Sequence, residues 1–337
     1  MGLTRRAGLG AATAIVVGLV AVPQIAQAAP RCFGKKATIE GTGQDDKLNG
    51  TPHRDVIVGL GGHDRINGRG GDDLICGGGG RDLIRGKSGD DQVSGGGKRD
   101  VLLGHDGNDR LMGAGGADVL IGAGGDDLMF GGPGGEAVMA GGPDNDLYDG
   151  GPGLFDAAWF VRSPVGVVVD LNVVTPQNTN EGIDTLLGVE GVFGSAFNDV
   201  LTGQNAPSET GNGLFGLAGT DQIMALDGND VIDGGAGNDK GGPGVGLLNG
   251  GLGADIIIGE SGDDDLYGEA GTDLLDGFED EETTGDFGSG GPDVDQCFGI
   301  ETLDPDPANA CEMNTPREAL ARLGPWQAAR SLGAAWG

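Results

Sequence analysis

The sequence predicts an all-β protein, a parallel β-solenoid with two nine-residue repeats in each coil. Three observations predict it. An acidic residue recurs every nine positions, at Asp46, Asp55, Asp64, Asp73, Asp82, Asp91, Asp100, Asp109, Asp118 and Asp127. Two positions after each stands an aliphatic residue, from Leu48 and Ile57 through Leu120 and Met129. Two further on stands a glycine, from Gly50 to Gly131. Neither a helix nor a lone strand has this period, so it belongs to one small unit stacked on itself.

The unit from Gly77 to Arg85 shows why these residues form these elements. Its first six residues make a turn, rich in glycine because the backbone must visit positive φ. The last three make a short strand, with Ile84 pointing inward and Leu83 and Arg85 outward, as strand alternation requires. Two units complete a coil, forming two thin parallel sheets joined by turns along two edges. Residues eighteen apart then stack about 4.8 Å apart. One edge carries Asp46, Asp64, Asp82, Asp100 and Asp118, and the other Asp55, Asp73, Asp91, Asp109 and Asp127. At that spacing each bare carboxylate pair repels by about 0.9 kcal/mol in bulk water and about 3–4 kcal/mol at an effective dielectric of 20. A cation between adjacent turns reverses the sign. Calcium is the expected ion, because it takes six to eight oxygen ligands from carboxylates and backbone carbonyls in flexible geometry. Transition metals would call for His or Cys. His53, His63 and His105 fall in non-equivalent slots and read as exposed turn residues.

The consensus Gly-Gly-x-Gly-x-Asp-x-aliphatic-x resembles the nonapeptide of the repeats-in-toxin (RTX), or haemolysin-type, calcium-binding family. The resemblance covers roughly residues 41–153 and 199–284. It implies a right-handed parallel β-roll with several calcium ions between successive turns. The implied acidic ligands are the ten Asp residues above, together with Asp221, Asp230, Asp239, Asp255, Asp264 and Asp273 of a second array. The implied carbonyl ligands belong to Gly62, Gly71, Gly80, Gly89, Gly107, Gly116 and Gly125. Gln44, His53 and Lys98 replace the fourth-position glycine, which weakens the sites near Asp46, Asp55 and Asp100. The turns of Asp73, Asp91, Asp109 and Asp127 are intact, so three good ions are expected there. The second array is expected to bind fewer or weaker ions.

Composition agrees with this reading. Glycine (74) and proline (15) are abundant, and without a period they would point to disorder. Collagen is excluded because glycine does not recur every third residue. Aromatics are only 4%, too few for a conventional core of large side chains. A net charge of −32 argues against a nucleic-acid partner, which needs a basic surface.

Residues 1–28 read as an export signal: Arg5 and Arg6, an apolar run from Ala11 to Val22, and the small-residue site Ala26-Gln27-Ala28. The run is too short for a comfortable membrane span, and no other stretch could span a bilayer. A secreted protein by the general route, cleaved after Ala28, is expected. Outside the cytoplasm the four cysteines pair. The simplest pairing is Cys32–Cys76 and Cys297–Cys311; two other connectivities and a zinc site remain open.

The expected organisation follows in order. Residues 29–40 are a capping strand over the first coil, and 41–153 the first array. Its last members decay, with Glu136 and Asn145 in the acidic slot and Val138 and Leu147 in the aliphatic one. Residues 154–198 are strand-rich connecting turns, a variant solenoid turn with longer strands. Residues 199–284 are the second array, with a slip near 239–246 where two residues are missing. Residues 285–313 are a disulfide-capped unit, and 314–337 a flexible or short helical tail.

The leading expectation is a secreted calcium-binding protein whose folding is coupled to the ion, with no catalysis of its own. An alternative is a secreted adhesin or matrix protein, or the accessory repeats of an extracellular hydrolase. No HExxH and no Gly-x-Ser-x-Gly occurs, and Ser163 and Ser195 have no plausible triad. Two outward columns turn apolar midway, Leu83, Val101, Val119, Ala137 and Arg85, Leu103, Ile121, Met139. They suggest either a cover from the chain itself or a cell-surface or matrix protein partner.

Overall fold

The computed structural model describes residues 29–134, 137–153, 155–205, 211–240, 248–277, 286–292, 295–298, 300, 302–303 and 312–313. Among them every regular element is a strand, and the strands stack into a parallel β-solenoid. One face is a continuous fourteen-stranded sheet running from Lys47–Asn49 to Glu312–Met313. The opposite face is divided. A nine-stranded sheet begins at Ile39–Glu40, and a seven-stranded sheet runs from Val168–Asp170 to Thr302–Leu303.

In the first array each strand pairs with the one eighteen residues on: Leu83 opposite Val101 and Ile84 opposite Leu102. The inward column Ile57, Ile66, Ile75, Ile84, Val93, Leu102, Leu111, Leu120 and Met129 is buried between the sheets. Each such side chain contributes roughly 1.5–3 kcal/mol of burial, and together they replace the aromatic core the composition lacks.

Four details depart from the sequence reading. First, the strands of the regular array span six residues, as in Leu83–Ser88 and Val101–Asp106, not three. The turn backbone repeats its conformation in every coil. It can therefore pair with its copy, as when the Gly89 amide donates to the Asp106 carbonyl at 2.9 Å.

Second, the coil after Val119 has one extra residue: Val119 pairs with Val138, Leu120 with Met139 and Ile121 with Ala140. Met139 and Tyr148 therefore fill the core, rather than Val138 and Leu147. A one-residue shift moves every side chain to the other face of the sheet. The apolar outward columns accordingly continue through Val138 and Ala140, rather than through Ala137 and Met139.

Third, the second array does not lose two residues near 239–246. Val231–Ala236 pairs with Ile256–Ser261, and the coil from Asp230 to Asp255 holds 25 residues. Asp239 and Asp255 lie on opposite edges, so their separation measures a lengthened half-coil whose residues 241–247 fall outside the described ones.

Fourth, residues 155–205 contain a reversal. Gln177–Asn178 pairs antiparallel with Ile183–Leu187, and the Val168 amide donates to the Thr179 carbonyl at 3.2 Å. This excursion divides the second face into two sheets. Its strands are two to five residues long, no longer than elsewhere.

The N-terminal cap has two parts. Ile39–Glu40 adds a parallel strand beside Ile57 and Val58. Before it, Arg31–Cys32 and Lys35–Lys36 form an antiparallel pair. Cys32 is buried with Val58 and Leu74 and is bridged to Cys76 as expected. Cys297 is also disulfide-bonded, and its expected partner Cys311 lies outside the described residues. So do the export signal (1–28) and the tail (314–337). No helix among the described residues is long and apolar enough to cross a membrane.

Candidate metal centre

Every predicted acidic residue falls in one of two ladders along the turn edges. Within a ladder the backbone amide of each Asp donates to Oδ1 of the Asp one coil later. On one edge the sequence is Asp46 to Asp64, Asp82, Asp100 and Asp118, at 2.7–2.8 Å. On the other it is Asp55 to Asp73, Asp91, Asp109 and Asp127, again at 2.7–2.8 Å. In the second array Asp199, Asp221, Asp239 and Asp264 form one ladder, and Asp230, Asp255 and Asp273 the other.

Sequence spacing put Cys297 in an aliphatic slot, and so Asp295 in an acidic one, but missed the other further rungs. Asp146, Asp156, Asp184, Asp286 and Asp295 accept the same amide bond, and Glu190 supplies its carboxylate to the Asp156 amide. Asn145 is not in the slot; Asp146 is. A search for Asp-x-apolar without a fixed repeat length would have found most of them, since Tyr148, Ala158, Leu186 and Cys297 are the buried residues two positions on.

Each carboxylate thus has one oxygen engaged and one to account for. Oδ2 is buried without a hydrogen-bond partner in Asp64, Asp73, Asp82, Asp91, Asp100, Asp109, Asp118, Asp127 and Asp146. The same holds for Asp221, Asp230, Asp239, Asp255 and Asp264. A buried oxygen left so costs about 1–3 kcal/mol, more when charged. Four rungs differ because the chain supplies a hydroxyl. Thr42 donates its amide and hydroxyl to Oδ2 of Asp46 at 2.6 and 2.9 Å, and Thr51 does the same for Asp55. Ser195 bonds both oxygens of Asp199, and the Thr179 hydroxyl donates to Oδ2 of Asp184.

The seven predicted carbonyl glycines, Gly62 through Gly125, all adopt positive φ, between 93° and 140°. Gly80 shows why no side chain fits: a Cβ there would lie 1.7 Å from the Gly62 carbonyl oxygen of the coil before. No hydrogen bond reaches the carbonyl oxygens of these seven glycines among the described residues. Outside those four rungs, carboxylate Oδ2 and turn carbonyl oxygens therefore recur along both edges with no hydrogen-bond partner among the described residues.

Burial raises the carboxyl pKa values. They reach about 6 in Asp73 and Asp118 and about 7 in Asp91, Asp100, Asp109 and Asp127. They reach about 8 in Asp146, Asp239 and Asp255. Loss of water around the charge is the largest cause, and repulsion from neighbouring rungs is smaller. Mutual repulsion between rungs is thus the lesser of the two effects that raise these values. Both act in the direction that a bound cation relieves.

No group of three or more His, Cys, Asp or Glu side chains converges on one point among the described residues. A cation here must draw on main-chain carbonyls as much as on carboxylates, which suits calcium and not a metal that prefers nitrogen or sulfur. The histidines fit that view: His63 accepts the Arg81 amide through Nδ1 at 2.8 Å, while His105 is half-buried rather than exposed.

The arrangement defines a repeat solenoid with oxygen ligands stacked along its turns. The family described as the RTX calcium-binding nonapeptide repeat (4 copies) matches residues 38–62, 49–84, 85–120, 103–135, 214–240 and 241–275. The chain therefore carries RTX calcium-binding nonapeptide repeats in both arrays. No curated protein matches it.

Proposed function

We propose that this chain is a secreted, non-catalytic calcium protein whose solenoid is held together by several ions seated between successive turns. The observation that carries the reading is the coincidence of orphaned Asp Oδ2 atoms with unbonded glycine carbonyls at the same turns. Asp91, Asp109 and Asp127 with the carbonyls of Gly89, Gly107 and Gly125 would hold the ions of one edge. Asp82, Asp100 and Asp118 with Gly80 and Gly116 would hold those of the other. A bound ion supplies positive charge and completes an oxygen shell. The chain's own residues orient the carboxylates through the Oδ1–amide bonds and exclude water.

Asp46, Asp55, Asp184 and Asp199 need no ion, because Thr42, Thr51, Thr179 and Ser195 already satisfy them. The N-terminal edge and the central reversal then form ion-independent stops on either side of the first calcium ladder. Folding free energy comes from the ions, so chain kept at low calcium stays unfolded and folds after export. Titration of metal-free mature protein with calcium, followed by circular dichroism and metal analysis, tests this. Cooperative gain of β-structure with several ions per chain is expected, and an unchanged spectrum at millimolar calcium would overturn it.

A further inference from the structure

The total charge hides a bipolar chain. Residues 29–110 hold thirteen Lys and Arg against thirteen Asp and Glu, whereas residues 111–313 hold two against thirty-eight. Eight of the thirteen acidic residues in the N-terminal block sit in the turn ladders, facing inward. The basic residues face outward. Lys47, Arg65 and Arg85 occupy outer slots of the continuous sheet, and Arg69 and Lys87 follow on the same strands. Arg81 and Arg99 project from the adjoining turn edge.

The cations are stacked in pairs. Lys47 is registered against Arg65 and Arg69 against Lys87, and Arg81 and Arg99 occupy equivalent turn positions one coil apart. Each pair sits about 4.8 Å apart along the axis, and like charges placed opposite one another destabilise a sheet. Among the described residues none of these seven makes an ion pair, in contrast to Lys240, which meets Asp263 at 3.0 Å. Arg69 and Lys87 hold left-handed backbone, φ 82° and 94°, as do Leu60, Ala114, Ala123, Glu260 and Glu269 in the same slot, so that strain belongs to the repeat and not to this surface. Stacked like charge is thus retained on one surface without an ion pair to offset it, which points to an external partner.

We propose that this surface docks a linear acidic polysaccharide, its carboxylate or sulfate groups lying along the cation columns. Guanidinium forks match such groups bidentately. Other anionic partners fit less well. Residues 34–110 contain no Phe, Tyr or Trp to stack on nucleobases, and the face presents no helix to a DNA groove. A second copy would bring an acidic half with fourteen of its thirty-eight carboxylates buried in the turn ladders, and self-association is an outcome that the test distinguishes. An anionic bilayer would call for fully exposed large apolar side chains, and the outward Leu83, Val101 and Leu103 of this face are only half-exposed.

The test uses the full mature chain in millimolar calcium, with immobilised chondroitin sulfate as the probe and uncharged dextran as the blank. Arg65→Ser combined with Arg85→Ser removes two surface charges. Lys35→Ser combined with Lys36→Ser removes two from the cap as a matched control. Circular dichroism in calcium confirms that both variants fold, which separates this result from the calcium reading. Salt-sensitive binding is expected, weakened about tenfold or more in the arginine variant, as loss of charge-assisted bonds predicts, and nearly unchanged in the control. No binding, or equal losses in both variants, overturns the proposal. So does tighter binding to phosphatidylserine vesicles or duplex DNA, or a salt-sensitive self-association that the arginine variant abolishes.

Discussion

The backbone amide of Asp91 donates to Oδ1 of Asp109 at 2.8 Å, across one full coil of the solenoid. One side chain thereby does two things. Its first oxygen fixes the register of neighbouring turns, and its second, buried and unpartnered, faces the place where an ion would sit. Structural support and ligand are separable within a single carboxylate.

That separation predicts different outcomes for two substitutions. Asp109→Asn keeps an oxygen for the Asp91 amide but removes the charge. It should still fold in excess calcium, bind one or two fewer ions by calorimetry and need several-fold more calcium to fold, since each lost tenfold in affinity is about 1.4 kcal/mol. Asp109→Ala also strands the Asp91 amide, and should lose a further ~1–3 kcal/mol in a calcium-saturated thermal melt.

The metal-free chain should respond to pH in the opposite sense from the calcium-loaded one. The ladder carboxyls have folded pKa values raised from 3.8 to about 6–8. Their raised affinity for protons favours the folded state fully below pH 3.8, and this support is lost as pH rises through 6 to 8. Demetallated protein should therefore show more β-structure by circular dichroism at pH 5 than at pH 8.5. Calcium, which needs the ionised form, should bind progressively more weakly as pH falls from 8 to 5.

Two glycines on successive turn positions should respond in contrasting ways. Gly80→Ala puts a Cβ 1.7 Å from a neighbouring carbonyl oxygen at φ 135°. It should cost at least the ~1–3 kcal/mol of a strained residue and disturb an adjacent ion site. Gly97→Ala meets nothing within 4 Å and has no positive φ, so its melting should differ little, within about 0.5 kcal/mol.

The hydroxyl-satisfied rungs make a prediction of gain. Thr51→Gly removes the hydroxyl, one of the two donors to Oδ2 of Asp55, and leaves only the backbone amide of residue 51. Native mass spectrometry in calcium should then detect one additional ion per chain. An unchanged ion count would mean that the hydroxyl does not decide which turns are loaded.

How much was legible in the sequence depended on whether the repeat kept its length. From Asp46 to Asp127 constant spacing identified both the buried column and the acidic ladder, because a stack of identical coils makes sequence distance equal to spatial position. Past Gly131 one added residue moved Met139 and Tyr148 into the core, and only strand pairing reveals that shift. Asp184 joins the ladder 38 residues after Asp146, across a reversal that no period could anticipate.

By itself the sequence determined the solenoid, its inward aliphatic column and the chemistry of its turns, because those depend on local spacing and residue type. The tertiary structure alone decided which rungs are completed by the chain's own hydroxyls, which oxygens stay unpartnered, and where the second sheet face divides. The hydroxyl contacts are local, four or five residues before each Asp, but whether such a bond forms, and where the face divides, depends on the backbone's path through each coil, which spacing along the chain does not record.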